Sequence, residues 1–153
     1  IRKVRKIFKF NNMTVANYTL RTHQNILKEN IKKLERYKKR FNKKAFLNDE
    51  LVIDAICKAL EETIEIMLTT GNMLIAQKGF RKPEKNDDVF DVLADEKIYS
   101  KNLANKLWGL GGFRNILVHN YITIDLNLVY DHLEKGIPAF KEYAKAVAKF
   151  LDK

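Results

Sequence analysis

A single cysteine, Cys57, rules out an intramolecular disulfide, and its setting in the apolar run Ile56-Cys57-Lys58-Ala59-Leu60 offers none of the spaced thiols and imidazoles of a zinc site. That usage fits a reducing cytoplasm, the compartment expected. No uninterrupted apolar run approaches the roughly 18 residues needed to span a bilayer, and the first residues lack the apolar stretch of a signal peptide. No membrane association is expected. Alternating strand patterns, Asn-Gly hairpin signals, internal repeats and low-complexity tracts are all missing, which argues against β and solenoid architectures. Acidic residues are scarce at one end only. Residues 1 to 44 hold 15 Lys and Arg against Glu29 and Glu35, a net +13, whereas residues 45 to 153 hold 14 against 17, a net −3. The overall +10 therefore belongs to the first third of the chain, and such asymmetry suggests a polyanion partner, of which nucleic acid is the commonest.

With 153 residues, 46% of them hydrophobic and 31% charged, the chain has the size and composition of one folded domain. Over residues 14 to about 41, Leu20, Leu27, Ile31, Leu34 and Phe41 recur at steps of seven, four, three and seven, which keeps them on one stripe of an amphipathic helix. A second helix is expected to begin near Asn48 or Asp49, with Glu50 at the positive end of its dipole, and to stop at Gly79. Its apolar residues, among them Ile53, Ile56, Leu60, Ile64, Met67, Leu74 and Ile75, point to more than one side, so it should be the most buried element. Residues 81 to 88, with Pro83, form a loop. Short helices over 89 to 94 and 100 to 107 precede a break at Trp108-Gly109-Leu110-Gly111-Gly112, and Phe113 resumes a helix. Asp125 is an N-cap, with Ile124 placed to pack on Val129 as a hydrophobic staple. From there Leu126, Val129, Leu133, Ile137, Phe140, Ala144, Val147 and Leu151 alternate steps of three and four; Pro138 should kink or split that helix. An all-α antiparallel bundle of four to five helices follows.

One run of eight residues concentrates groups suited to chemistry on a phosphate: Arg114-Asn115-Ile116-Leu117-Val118-His119-Asn120-Tyr121. On a helix, Tyr121 falls within roughly 20° of Arg114, Asn115 and His119 share the adjoining side, and Phe113, Ile116 and Leu117 face the opposite way. A histidine there can take the proton of a ribose 2′-OH or protonate the leaving 5′-oxygen. Arg114 can hold the scissile phosphate bidentately. Asn115 can orient His119 or the phosphate, and Tyr121 can stack on a base. The same spacing is equally served by an ion-paired Arg114, a helix-ending His119 and a Tyr121 with its hydroxyl at the surface.

The run resembles the R-x4-H-x-Y signature of HepT-type toxins in the HEPN superfamily. The likeness extends over residues 14 to 150: a basic first helix, an apolar second helix ending near Gly79, a Pro-containing connection, Gly-Phe-Arg-Asn before the histidine, and Tyr-Ile-Thr-Ile-Asp leading into a long last helix. The resemblance implies a HEPN-like homodimer with its active site between protomers, which would bring two copies of Arg114 and His119 together. It implies a metal-independent endoribonuclease toxin without cofactor, in which Arg114 and His119 are the catalytic pair and Asn115 supports them. It also implies a minimal nucleotidyltransferase antitoxin as partner, with Tyr121 as AMP acceptor. The alternative it leaves open is a non-catalytic helical nucleotide- or substrate-binding partner of a nucleotidyltransferase.

Weaker candidates remain. Lys32, Lys33, Lys38 and Lys39 are candidate RNA contacts, with a solvated helix face as the competing reading. Residues 1 to 13 form a basic extension that departs from the family pattern, and Met13 offers an alternative start that would leave it outside the natural protein. Gly109-Leu110-Gly111-Gly112 follows no strand and lacks the dinucleotide-binding spacing, so it is a tight turn. His23 and His132 are structural. Asp87, Asp88, Asp91, Asp95 and Glu96 make a solvated acidic loop and no metal site is expected, and Asn72 is a hydrogen-bonded residue of the buried second helix.

Overall fold

The computed structural model describes the backbone of residues 2 to 119 and 123 to 153, and side chains from residue 15 onward within those spans. Among the described residues seven helices follow one another: α1 (Arg2–Arg40), α2 (Lys43–Asn48), α3 (Glu50–Lys78), α4 (Asp88–Asp95), α5 (Lys101–Leu107), α6 (Leu110–His119) and α7 (Leu126–Leu151). The described residues form no strand, so the all-α expectation holds; the short helices expected over 89 to 94 and 100 to 107 are α4 and α5, and α2 is an additional short helix.

Local signals place most boundaries. Asp49 accepts from the amide of Leu51 at 3.0 Å, Ser100 from Leu103 at 3.1 Å and Asp125 from Asn127 at 2.9 Å, each satisfying an N–H that a first helical turn leaves bare. Gly79, at φ 67°, closes α3 in the left-handed conformation that other residues resist. Two expectations need correction. The first helix starts at Arg2 rather than near residue 14, since neither Pro nor Gly stands between Arg2 and Arg40 to stop it. After it, Asn42 accepts from the amide of Ala45 at 2.8 Å and launches α2, a six-residue helix that drops Phe46 into the core.

The frame is made by α1, α3 and α7. The ion pairs Arg21 to Asp152 and Lys141 to Glu35 match the middle of α1 with the end of α7 and the later part of α1 with the middle of α7, so the two helices run antiparallel. Gln77 donates to Asn17 and sets α3 antiparallel to α1 in the same way. The expected stripes meet inside: Leu20, Leu27, Ile31 and Leu34 of α1, Ile56, Leu60, Ile64 and Met67 of α3, and Val129, Leu133, Phe140 and Val147 of α7 are all buried. Each such side chain contributes about 1.5 to 3 kcal/mol relative to exposure. Ile124 also packs on this core.

Helix α7 runs through Pro138 without splitting. Proline lacks the N–H that would reach the carbonyl of Glu134, and Lys38 Nζ of α1 donates to that oxygen instead, at 3.3 Å. Asn72 is exposed, against expectation, because α3 leaves one narrow strip of its surface uncovered. One residue earlier, on the adjoining side, the same helix is at its tightest. A Cβ on Gly71 would lie 2.5 Å from Val89 Cγ1 of α4 and 3.0 Å from the hydroxyl of Tyr143. That hydroxyl, fully buried, donates to the carbonyl of Met67 at 2.7 Å.

Candidate functional site

Helix α6 carries the candidate residues, and its start is fixed from a distance. The break expected at 108 to 112 is limited to Trp108 and Gly109; Gly111 and Gly112 are helical. Asp87, in the α3–α4 connection, turns its Oδ1 onto the amides of Gly109 at 3.1 Å and Gly111 at 2.9 Å. A carboxylate on the first amides of a helix supplies both hydrogen bonds and a favourable charge for the dipole. The approach is close enough that a Cβ on Gly111 would lie 2.9 Å from Asn86 Cβ. The acidic stretch is thus built into the fold rather than merely solvated: Asp88 accepts from the amides of Glu84 and Lys85, and Asp95 pairs with Arg81 and Lys101. Those two cations hold the Asp95 carboxyl below the usual carboxylate range. Among the described residues no group of three or more His, Cys, Asp or Glu is gathered as a metal site.

Phe113 and Leu117 are buried and seat α6 on the bundle. The ring of Phe113 stacks on His132 of α7, centroids 3.8 Å apart and planes 19° apart. Burial pushes the His132 imidazole below its ordinary value of 6.5, with Asp131 pulling the other way, which fits the structural role expected of it. His23, likewise, bonds through Nδ1 to the carbonyl of Thr19 within α1. Beside His132 opens a cavity of about 420 Å³ between α5 and α7, which contains neither Arg114 nor His119.

Arg114 is held from two sides. Its Nε lies 2.6 Å from Glu65 Oε2 of α3, an ion pair in which the N–H does not line up on the oxygen, and its Nη1 donates to Asn115 Oδ1 at 3.1 Å. Asn115 is thus tied to the arginine through its side-chain oxygen. Glu65 escaped the sequence reading because its partner lies 49 positions away and its own neighbourhood, Glu61-Glu62-Thr63-Ile64-Glu65, looks like an ordinary solvated face. With Nε against Glu65, the guanidinium edge formed by the two Nη atoms is the part left for an anion.

His119 is the last residue of α6 and is exposed. Five residues after Arg114, it stands about 7.5 Å along the helix and roughly 140° around it. One chain thus displays the two side chains on different sides of α6. Ile116, expected with the buried face, is 37% exposed, and Val118 is 38% exposed, so apolar groups flank the polar ones on the outer surface. Tyr121 lies outside the described residues. Of the lysine candidates, Lys32, Lys38 and Lys39 border the furrow between α1 and α7, whereas Lys33 is half-buried and does not line it. No helix among the described residues is long and apolar enough to cross a membrane.

This arrangement can be set against known proteins. YutE of Bacillus subtilis, named a putative RNase, is 30% identical over 89 residues, which is 58% of this chain and 62% of that protein. The mRNA nuclease HepT of Shewanella oneidensis is 24% identical over 102 residues, 67% of this chain and 77% of that one. The solved structure of B. subtilis YutE, described as a cytosolic protein, superposes with a TM-score of 0.77 at 22% identity, covering 88% of this chain and 90% of that one. A tri-AMPylated S. oneidensis HEPN toxin, solved in complex with its MNT antitoxin, superposes at 0.76 with 21% identity, covering 85% and 96%. The Ribonuclease HepT-like family model matches residues 27 to 147, which take in the whole of α6, and the chain belongs to the HepT-like ribonuclease family.

Proposed function

We propose that this chain is the endoribonuclease toxin of a toxin-antitoxin pair, cleaving RNA by attack of the ribose 2′-OH on the adjacent phosphate. The observation that carries this reading is the guanidinium of Arg114, anchored by Glu65 and Asn115 on the same short helix that ends in an exposed His119. Arg114 binds the scissile phosphate and stabilises the charge that builds on its oxygens. His119 transfers the proton to or from the reacting oxygens, and the products are a 2′,3′-cyclic phosphate and a 5′-hydroxyl. The nucleophile comes from the substrate, so the step needs no metal-bound water.

The angular separation of Arg114 and His119 supports a homodimeric site, in which the arginine of one protomer and the histidine of its partner face one phosphate. The partly exposed Ile116 and Val118 suit burial in such an interface. Tyr121, two residues past His119, is the proposed AMP acceptor for a minimal nucleotidyltransferase antitoxin; the added charge and bulk would repel RNA at the phosphate site. The AMPylated S. oneidensis toxin supports this part of the reading.

The test is cleavage of single-stranded RNA in EDTA by the parent, Arg114→Ala and His119→Ala proteins, each shown to unfold at the same urea midpoint. Loss of cleavage by about 10²-fold or more in both variants is expected. Undiminished cleavage by either would overturn the assignment.

A further inference from the structure

A second concentration of charge lies on the α1 and α7 side of the bundle. Three depressions follow one another between these helices. Arg21, Lys28 and Asp152 border the first; Lys28, Lys32, Lys141 and Lys145 the second; Arg36, Lys38, Lys39 and Lys141 the third. The first two share Lys28 and Ala148 and the last two share Glu35 and Lys141, so they form one furrow. From Arg21 to Lys39 it follows α1 for about 27 Å. Eight Lys and Arg face two acids, Glu35 and Asp152, along its length.

The lining indicates what it holds. Its floor is already covered: Ile31, Ile137 and Ala144 are 4%, 5% and 5% exposed, so the apolar surface that remains is lysine stems, Pro138 and Ala148 and offers no pocket for a large apolar anchor of a docking helix. The lining is largely aliphatic carbon, much of it the stems of the lysines, and carries the ammonium and guanidinium groups above it. Among the described residues no aromatic ring lines the furrow, so bases have nothing there to stack on and recognition falls to the phosphates. Lys32 is paired with Glu29 and Lys141 with Glu35, both exposed pairs of little strength, and among the described residues Lys28 and Lys145 have no ion-pair partner. Lys28 and Lys145 can meet phosphate directly, and Lys32 and Lys141 by exchanging a weak exposed pair for it. The surroundings of Arg114 are the reverse. Glu62, exposed, lies one turn before Glu65 on α3 and its carboxylate opposes a polyanion there, while Glu61 beside it is paired with Lys58.

We infer that the furrow between α1 and α7 binds the sugar-phosphate backbone of single-stranded RNA, apart from the Arg114 and His119 site and without reading sequence. Its biological meaning rests on the ribonuclease reading; the binding itself does not. The furrow supplies the affinity that the acidic flank of the cleavage site withholds, and it does so only for strands long enough to occupy it.

The experiment uses the full chain and a fluorescein-labelled 2′-O-methyl RNA of 20 nucleotides, which binds but has no 2′-OH to react. Anisotropy is followed across a salt series for the parent, for a variant carrying Lys28→Ala, Lys32→Ala, Lys141→Ala and Lys145→Ala, and for a control carrying Lys43→Ala, Lys44→Ala, Lys82→Ala and Lys85→Ala. The furrow variant is expected to bind about tenfold or more weakly, with the slope of log K against log salt reduced by roughly 3. With the unmodified 20-mer as substrate, it should show a raised KM and an unchanged kcat, while its turnover of a dinucleotide matches the parent. Equal weakening in furrow variant and control would show diffuse attraction and overturn the inference, as would parent-like binding by the furrow variant. Displacement of the RNA by poly-glutamate at equal charge concentration would make the furrow a protein-docking surface and equally end it. A parent that binds RNA through the furrow but cleaves neither substrate would refute the ribonuclease reading and leave this one standing.

Discussion

Replacing Asp87 by alanine removes the anchor of the site helix without touching any residue of the site. Its Oδ1 receives two backbone N–H groups, from Gly109 and Gly111, at the start of α6. Hydrogen bonds to a charged group are worth about 1.5 to 3 kcal/mol each when well shielded, but Asp87 is only half-buried and water can replace part of the loss. Removal of a capping side chain costs about 0.5 to 2 kcal/mol by itself. The two considerations converge on about 1 to 2 kcal/mol for Asp87→Ala. In a domain of this size that lowers the melting midpoint by about 3 to 6 °C. Asp87→Asn keeps an acceptor oxygen and loses only the charge, so it should lose about half as much. Far-UV circular dichroism measures both midpoints, and amide exchange of Phe113 and Arg114 reports whether α6 itself has loosened. An Asp87→Ala protein with the parent's midpoint and the parent's exchange at α6 would refute the argument that this carboxylate sets the helix.

Glu65 is expected to act by positioning Arg114. Glu65→Ala should lower kcat for RNA about tenfold with little change in KM, Glu65→Gln should recover most of it, and neither should move the melting midpoint by more than the small worth of a half-exposed ion pair. His132 gives a pH dependence. Burial depresses its folded-state pKa below 6.5, so the unfolded chain binds a proton that the folded chain rejects, and stability is retained above about pH 6.5 and lost as pH falls through the folded value. Melting midpoints should therefore decline between pH 7 and pH 5, and His132→Phe, which keeps a ring against Phe113, should flatten that decline.

Features that depend on near neighbours were legible in the chain. The caps at Asp49 and Asp125 and the stop at Gly79 each rest on contacts within a few residues, and the three long apolar stripes follow from periodicity. What escaped was set by distant partners. Gly111 and Gly112 look like a break because glycine disfavours helix, and the compensating carboxylate of Asp87 stands 24 positions earlier. Short α2 carries one buried side chain, Phe46, which shows no period. Ile116 matched the buried face by angle, but α6 is covered on too narrow an arc to hide it. At the site, Arg114, Asn115 and His119 could be chosen from residue type and spacing; Glu65 could not, because the fold alone brings α3 to the arginine.

The absence of a side chain at Gly71 has a consequence for remote control of the site. Val89, which fills that space, lies two residues beyond Asp87 in the chain, and Asp87 holds the first amides of the helix that bears Arg114. A methyl group at position 71 would have to push α4 outward, and the displacement would reach α6 through a single carboxylate. A position that touches neither RNA nor any proposed catalytic group is in this way mechanically geared to the arginine, 43 residues downstream.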